Sequence, residues 1–182
     1  VSIPDSVTFE EAIALTQSLM AQMIADELSA PEIADAIAQL VKSENGARGF
    51  FVTYLTSEGT LADNPSAEVI QALQSSPDIV SELLVKNLAM SAAQAVTHRR
   101  NGNEEMVQGS ERVRSRTTHL IEQLKLPQLR DRIVALHESA ATGEGSYQPF
   151  LQRWGYDTQQ RQVICEALEQ VMIEIDQPNS NQ

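Results

Sequence analysis

The chain has 182 residues, of which 42% are hydrophobic and 21% charged, and its 13 Lys+Arg against 25 Asp+Glu give a formal charge of −12. That size supports a single domain with a real core, with room for two small lobes, and the composition excludes wholesale disorder. The negative balance argues against general adhesion to nucleic acid or anionic lipid, because long-range repulsion opposes the encounter.

A lone cysteine, Cys165, excludes an internal disulfide framework and any Cys-rich zinc site, and fits a reducing compartment. No window approaches 18 uninterrupted apolar residues, and VSIPDSVTFEEA has neither a basic nor an apolar leader region. The expectation is a soluble, cytoplasmic chain without a membrane span. It opens on Val1 rather than Met, consistent with removal of an upstream segment.

Thr8 and Glu11 have capping-box spacing, in which each side chain satisfies an orphan N–H of the first turn. The stripe Phe9, Ile13, Met20, Ile24 and Leu28 then predicts a helix over about 8–28. Ser29 and Glu32 repeat that spacing ahead of Ile33, Ile37, Leu40 and Val41, predicting a second helix to about residue 42, broken by NGARG. FFVTYLT, residues 50–56, is strand-like in composition, but no other segment offers it a partner strand, so a short buried helix is expected.

Asn64-Pro65 and Ser76-Pro77 are cap-then-proline starts that open helices near 65–75 and 77–100, since proline at the first helical position gives up only an orphan N–H. Asn101-Gly102-Asn103 punctuates the chain, and Glu104 and Glu105 suit the positive end of the next helix, which runs to about Lys125. Pro127 starts a helix carrying Leu129, Ile133 and Leu136 that stops before TGEGS. A short helix from Tyr147 to Trp154 stops at Gly155, and Asp157 caps the last one.

The predicted fold class is all-α: a single-domain helical bundle or short array of about eight helices over residues 1–176, with residues 177–182 as a flexible tail. PEIADAI then FFVTYL echoes AEVIQAL then LLVKNL, a paired-helix echo over 31–57 and 67–91. Two such units suggest helix pairs stacked as in repeat arrays, although such arrays need at least three, and convergent amphipathic patterning explains the echo more simply.

The richest clue to function is THRRNGNEEMVQGSERVRSRTTH, residues 97–119. Residues 98–132 hold eight of the 13 basic side chains and a net charge of +3, leaving −15 elsewhere. On a helical wheel Arg112, Arg116, His119 and Gln123 share a stripe beside the seam of Met106, Val113, Leu120 and Leu124. Arg112 and Arg116 are a like-charged i,i+4 pair, and neither has a carboxylate at i−4, so compensation must come from outside the helix. A turn at 101–103 would bring His98, Arg99 and Arg100 beside the following helix.

Two readings follow. Either carboxylates on neighbouring helices bridge these arginines, or His98, Arg99, Arg112, Arg116 and His119 line a pocket for a small anion, to which a bidentate guanidinium is suited. Nucleic acid is the third and weakest candidate, because the remaining −15 repels it.

His119 and Glu122 have H-x-x-E spacing but lack the further converging ligands of a metal site, so no metal or cofactor is expected. Gly143-Glu144-Gly145-Ser146 lacks the G-K-[ST] ending of a phosphate loop and reads as a linker. Cys165 lies among apolar residues with Glu166 beside it, which suits an inert thiol. YQPFLQRWGY gathers Tyr147, Phe150, Trp154 and Tyr156, either as a core plug or as a protein-contact patch. With no catalytic constellation in view, the expectation is a non-enzymatic protein that acts through contacts with a protein partner or a second copy.

Overall fold

Capping chemistry sets most helix boundaries. In a computed structural model that describes residues 2–177, the described residues form nine α-helices and no strand. They are α1 (Phe9–Ile24), α2 (Ala30–Val41), α3 (Glu44–Thr56), α4 (Ala67–Gln74), α5 (Pro77–Arg100), α6 (Glu104–Leu124), α7 (Pro127–Thr142), α8 (Gln148–Trp154) and α9 (Thr158–Asp176). The expected all-helical class is therefore observed. The 177–182 tail, Gln177 excepted, lies outside the described residues.

The helices fall into two compact units, Val1–Leu83 and Leu84–Gln182, with the boundary inside α5. In the first, α1 starts on the anticipated capping box: the Glu11 N–H donates to Thr8 Oγ1 at 3.1 Å, and the Thr8 N–H donates to Glu11 at 3.0 Å. It ends four residues short of the prediction. Ile24 is exposed, Asp26 turns the chain with φ 56°, and Leu28 follows outside the helix.

NGARG is not a break. Ser43 caps α3 by accepting from the Gly46 N–H at 3.1 Å, and the whole segment is helical. The reason is steric. A Cβ on Gly46 would stand 2.0 Å from the Leu40 carbonyl oxygen, and one on Gly49 would stand 2.4 Å from Ala12 Cβ and 2.9 Å from the Phe9 carbonyl oxygen. The two glycines let α3 approach α2 and α1 closely, and that packing outweighs glycine's poor helix propensity.

The strand-like FFVTYLT is the buried helical core of this unit. Phe50 stacks on Tyr54 with centroids 5.1 Å apart and meets Phe51 edge-on at 5.3 Å, and all three are nearly inaccessible. The Arg48 guanidinium lies over Phe9, 4.9 Å from its centroid. α2 packs on both α3 and α4. Pro65 precedes α4 rather than opening it, because Ser66 is the cap.

In the second unit α9 packs on α7 and α6, and α8 packs on α7. Ion pairs Arg130–Asp176 and His137–Glu169 show that α7 and α9 run antiparallel. TGEGS is the expected linker: Gly143 at φ 77° closes α7 by donating to the Ser139 carbonyl, and the Tyr147 N–H donates to Ser139 Oγ at 3.1 Å. Asp157 caps α9 in a full capping box with Gln160. Of the seam foreseen on α6, Leu120 and Leu124 are buried, whereas Met106 is exposed and Val107 is buried instead.

α5 is the one described helix long and apolar enough, by length and composition, to cross a membrane, and 61% of its most apolar stretch is buried inside the protein. A core helix acquires the same composition for the same reason, exclusion of water.

Candidate functional site

The cationic hairpin consists of the C-terminal end of α5 and all of α6. The turn foreseen at 101–103 forms: Gly102 has φ 67°, the Asn103 N–H donates to the His98 carbonyl, and Asn103 Oδ1 caps α6 at the Met106 N–H. The basic side chains that emerge from it then take different directions.

Arg99 reaches Glu111 at 3.4 Å, and Arg114 meets the same carboxylate at 3.6 Å from one turn along α6. Arg100 leaves the hairpin altogether. Its guanidinium donates to Asp157 Oδ2 and to Gln159 Oε1, each at 2.6 Å, and so clasps the N-terminus of α9. Gln160 ties the same helix end to α5 by donating to Thr97 Oγ1 at 2.9 Å. The Arg100 contact, aided by the Gln160 N–H, holds the Asp157 carboxyl below its usual range.

Arg116 is 4% exposed, although it was expected at the margin of the core. His119 is half-buried and meets Gln123 on its own helix at 3.1 Å. His98 is half-buried on α5. Arg112 is exposed and, among the described residues, makes no ion pair or hydrogen bond. Of the two α5 residues considered for an anion pocket, Arg99 reaches across to α6, and a carboxylate receives it there.

The H-x-x-E pair is also divided. Glu122 faces Glu174 of α9, and among the described residues no three His, Cys, Asp or Glu side chains converge as metal ligands. Burial and the neighbouring carboxylate push the Glu122 carboxyl up to about 7, while the contact with Glu122 holds Glu174 below its usual value. Gln170 Nε2 donates to Glu174 Oε1 at 2.9 Å, whereas Glu174 Oε2 is buried without a donor among the described residues. A proton retained on Glu122 is available to the carboxyl it faces. Sequence reasoning singled out Glu122 but not Glu174, whose position next to the apolar stripe of α9 was the available signal.

The four aromatic interface candidates also separate. Tyr147 is buried, and Phe150 is half-buried between Lys86 at 5.6 Å and Tyr156 at 6.2 Å. Burial pushes the half-buried Tyr156 phenol up to about 12. Trp154 alone is exposed, at 49%, with the Arg153 guanidinium 5.9 Å from its ring centroid. Tyr147 and Leu151 plug the core, and the outer end of the segment is an amphipathic surface.

Cys165 packs with its sulfur 3.8 Å from the His137 carbonyl oxygen. Burial and then the Glu169 carboxylate raise its thiol pKa, which disfavours the reactive thiolate. Val134 and Ile173, each 53% exposed, were not anticipated, although each stands off the apolar stripe of its helix.

No curated protein and no solved structure matches the chain. One family model covers residues 8–171, from the cap of α1 into α9 and through both units. The chain therefore belongs to the family described as uncharacterised conserved protein UCP020893.

Proposed function

We propose that this protein is a non-enzymatic helical scaffold that acts through contacts with other proteins. The observation that carries this reading is the fate of the basic cluster: Arg99, Arg100, Arg114 and Arg130 each meet a carboxylate of the same chain. Three of these pairs, those of Arg99, Arg100 and Arg130, join one helix to another and so commit that charge within the chain. The exposed Trp154–Arg153 pair supports the reading further, because these residue types dominate interface energetics when a partner covers them.

Trp154 is the chain's only tryptophan, so its emission reports directly on α8. Immobilised wild-type protein is expected to capture a protein partner saturably, or the chain to self-associate in sedimentation across a concentration series. A monomer without saturable protein binding in either assay would refute the reading.

A second reading, a small-anion site, draws on Arg112. This exposed cation lies on one stripe of α6 with buried Arg116 and half-buried His119.

A further inference from the structure

The α7–α9 pair carries an outer face whose composition identifies a class of partner. Ion pairs Arg130–Asp176 and His137–Glu169 are two rungs across the antiparallel helices, separated by two helical turns. Val134 and Ile173 fall opposite each other midway between the rungs, and each is 53% exposed. The inward stripes of the same helices, Ile133 and Leu136 on α7 and Leu168 and Val171 on α9, are fully used in the core. The outer apolar pair therefore has no role in holding these two helices together.

Charge surrounds that pair asymmetrically. Once Arg130 is assigned to Asp176 and His137 to Glu169, the exposed charges left on α7 and α9 are the carboxylates of Asp131, Glu138 and Glu166, with no exposed cation among them. Against a second copy of itself the face would set like charge on like, which opposes self-association at this surface. Against a basic surface the same carboxylates are complementary.

We propose that the outer face of α7 and α9 docks an amphipathic helix of a partner protein, with the partner's apolar side chains seated on Val134 and Ile173 and its lysines or arginines facing the carboxylates of Asp131, Glu138 and Glu166. This rests on the protein-contact reading above and gives that reading a surface and a partner chemistry. The low exposed apolar area implies a reversible contact, with charge setting orientation and encounter rate.

The test uses the full chain and a synthetic amphipathic helix of about four turns, with leucines along one stripe and lysines flanking it. Titration calorimetry is run beside a second peptide in which glutamine replaces the leucines. The leucine–lysine peptide should bind saturably, and the leucine-free one at least about tenfold more weakly. V134Q/I173Q and, separately, E138K/E166K should each weaken the first peptide by about tenfold or more. Both pairs lie on exposed positions, and unchanged thermal midpoints would confirm the fold. E27K/E58K, which makes the same change in net charge on exposed residues of the other unit, should leave binding unaltered.

Undiminished binding by V134Q/I173Q, equal binding of the leucine-free peptide, or an equal loss in E27K/E58K would overturn the proposal. So would wild-type self-association that V134Q/I173Q abolishes, since the face would then belong to a second copy. That last outcome leaves the broader protein-contact reading standing. Absence of any saturable protein binding by wild type overturns that reading too.

Discussion

Gly49→Ala lowers the stability of the chain by about 2 kcal/mol, whereas Gly109→Ala, the same change in another helix, raises it by about 0.5–1 kcal/mol. Alanine is the better helix former at both positions, so propensity alone predicts two gains. Surroundings decide the difference. At Gly109 an added methyl meets nothing within 4 Å. At Gly49 it meets Ala12 Cβ at 2.4 Å and the α1 backbone at 2.9 Å, and neither can swing aside as the end of a long side chain could. Chemical denaturation followed by far-UV circular dichroism measures both variants. Stabilisation by Gly49→Ala would mean that α1 and α3 are not in close contact.

Glu122→Gln removes a pH dependence that the wild type shows between about pH 5 and 7. Folded Glu122 holds its proton up to about 7, whereas a free glutamate releases it near 4.5. In that interval the folded state binds more protons than the unfolded state, so stability falls as pH rises. Glu122's contribution is complete below its unfolded value and lost as pH climbs through its folded one. Glu174 has the opposite sign, because its folded value is depressed: its contribution is present above the unfolded value and lost as pH falls.

The two effects together place the optimum for this pair near pH 5. Glu122 is partly solvated, and screening reduces the loss by pH 8 to about 1 kcal/mol. The glutamine variant keeps a donor facing Glu174 without an ionisable group. It should match wild type at pH 5 and exceed it at pH 8. Denaturation midpoints across pH read the difference, and parallel profiles for the two proteins would show that the carboxyls are independent.

Helix starts were legible because capping is local. Thr8, Ser29 and Asp157 each accept from an N–H three residues on, a relation written directly in the sequence. Leu28 misled because apolar periodicity continues past the turn at Asp26, where the backbone leaves the helix. NGARG misled for a different reason. Two glycines in five residues favour a break when propensity is weighed alone, and only the proximity of Leu40 and Ala12 shows why they belong in a helix.

The arginine-rich stretch was visible as composition, but its partners were not. Arg100 finds Asp157 across 57 positions of chain, and no local spacing encodes that pairing. The turn at 101–103 was foreseen, yet it delivers Arg99 to Glu111 and sends Arg100 elsewhere. The register of α7 on α9, which places Val134 beside Ile173, is likewise fixed by long-range packing. The off-stripe positions of these two residues were the only local hint.

On the proposed reading the cationic hairpin binds no anion: carboxylates of the chain hold Arg99, Arg100 and Arg114, and the exposed Arg112 alone does not form a site. Thermal midpoints in rising phosphate, at ionic strength held constant with chloride, test it most directly on wild type and Arg112→Ala together. Neither protein should show a phosphate-specific rise. A saturable rise in wild type that disappears in Arg112→Ala would contradict it.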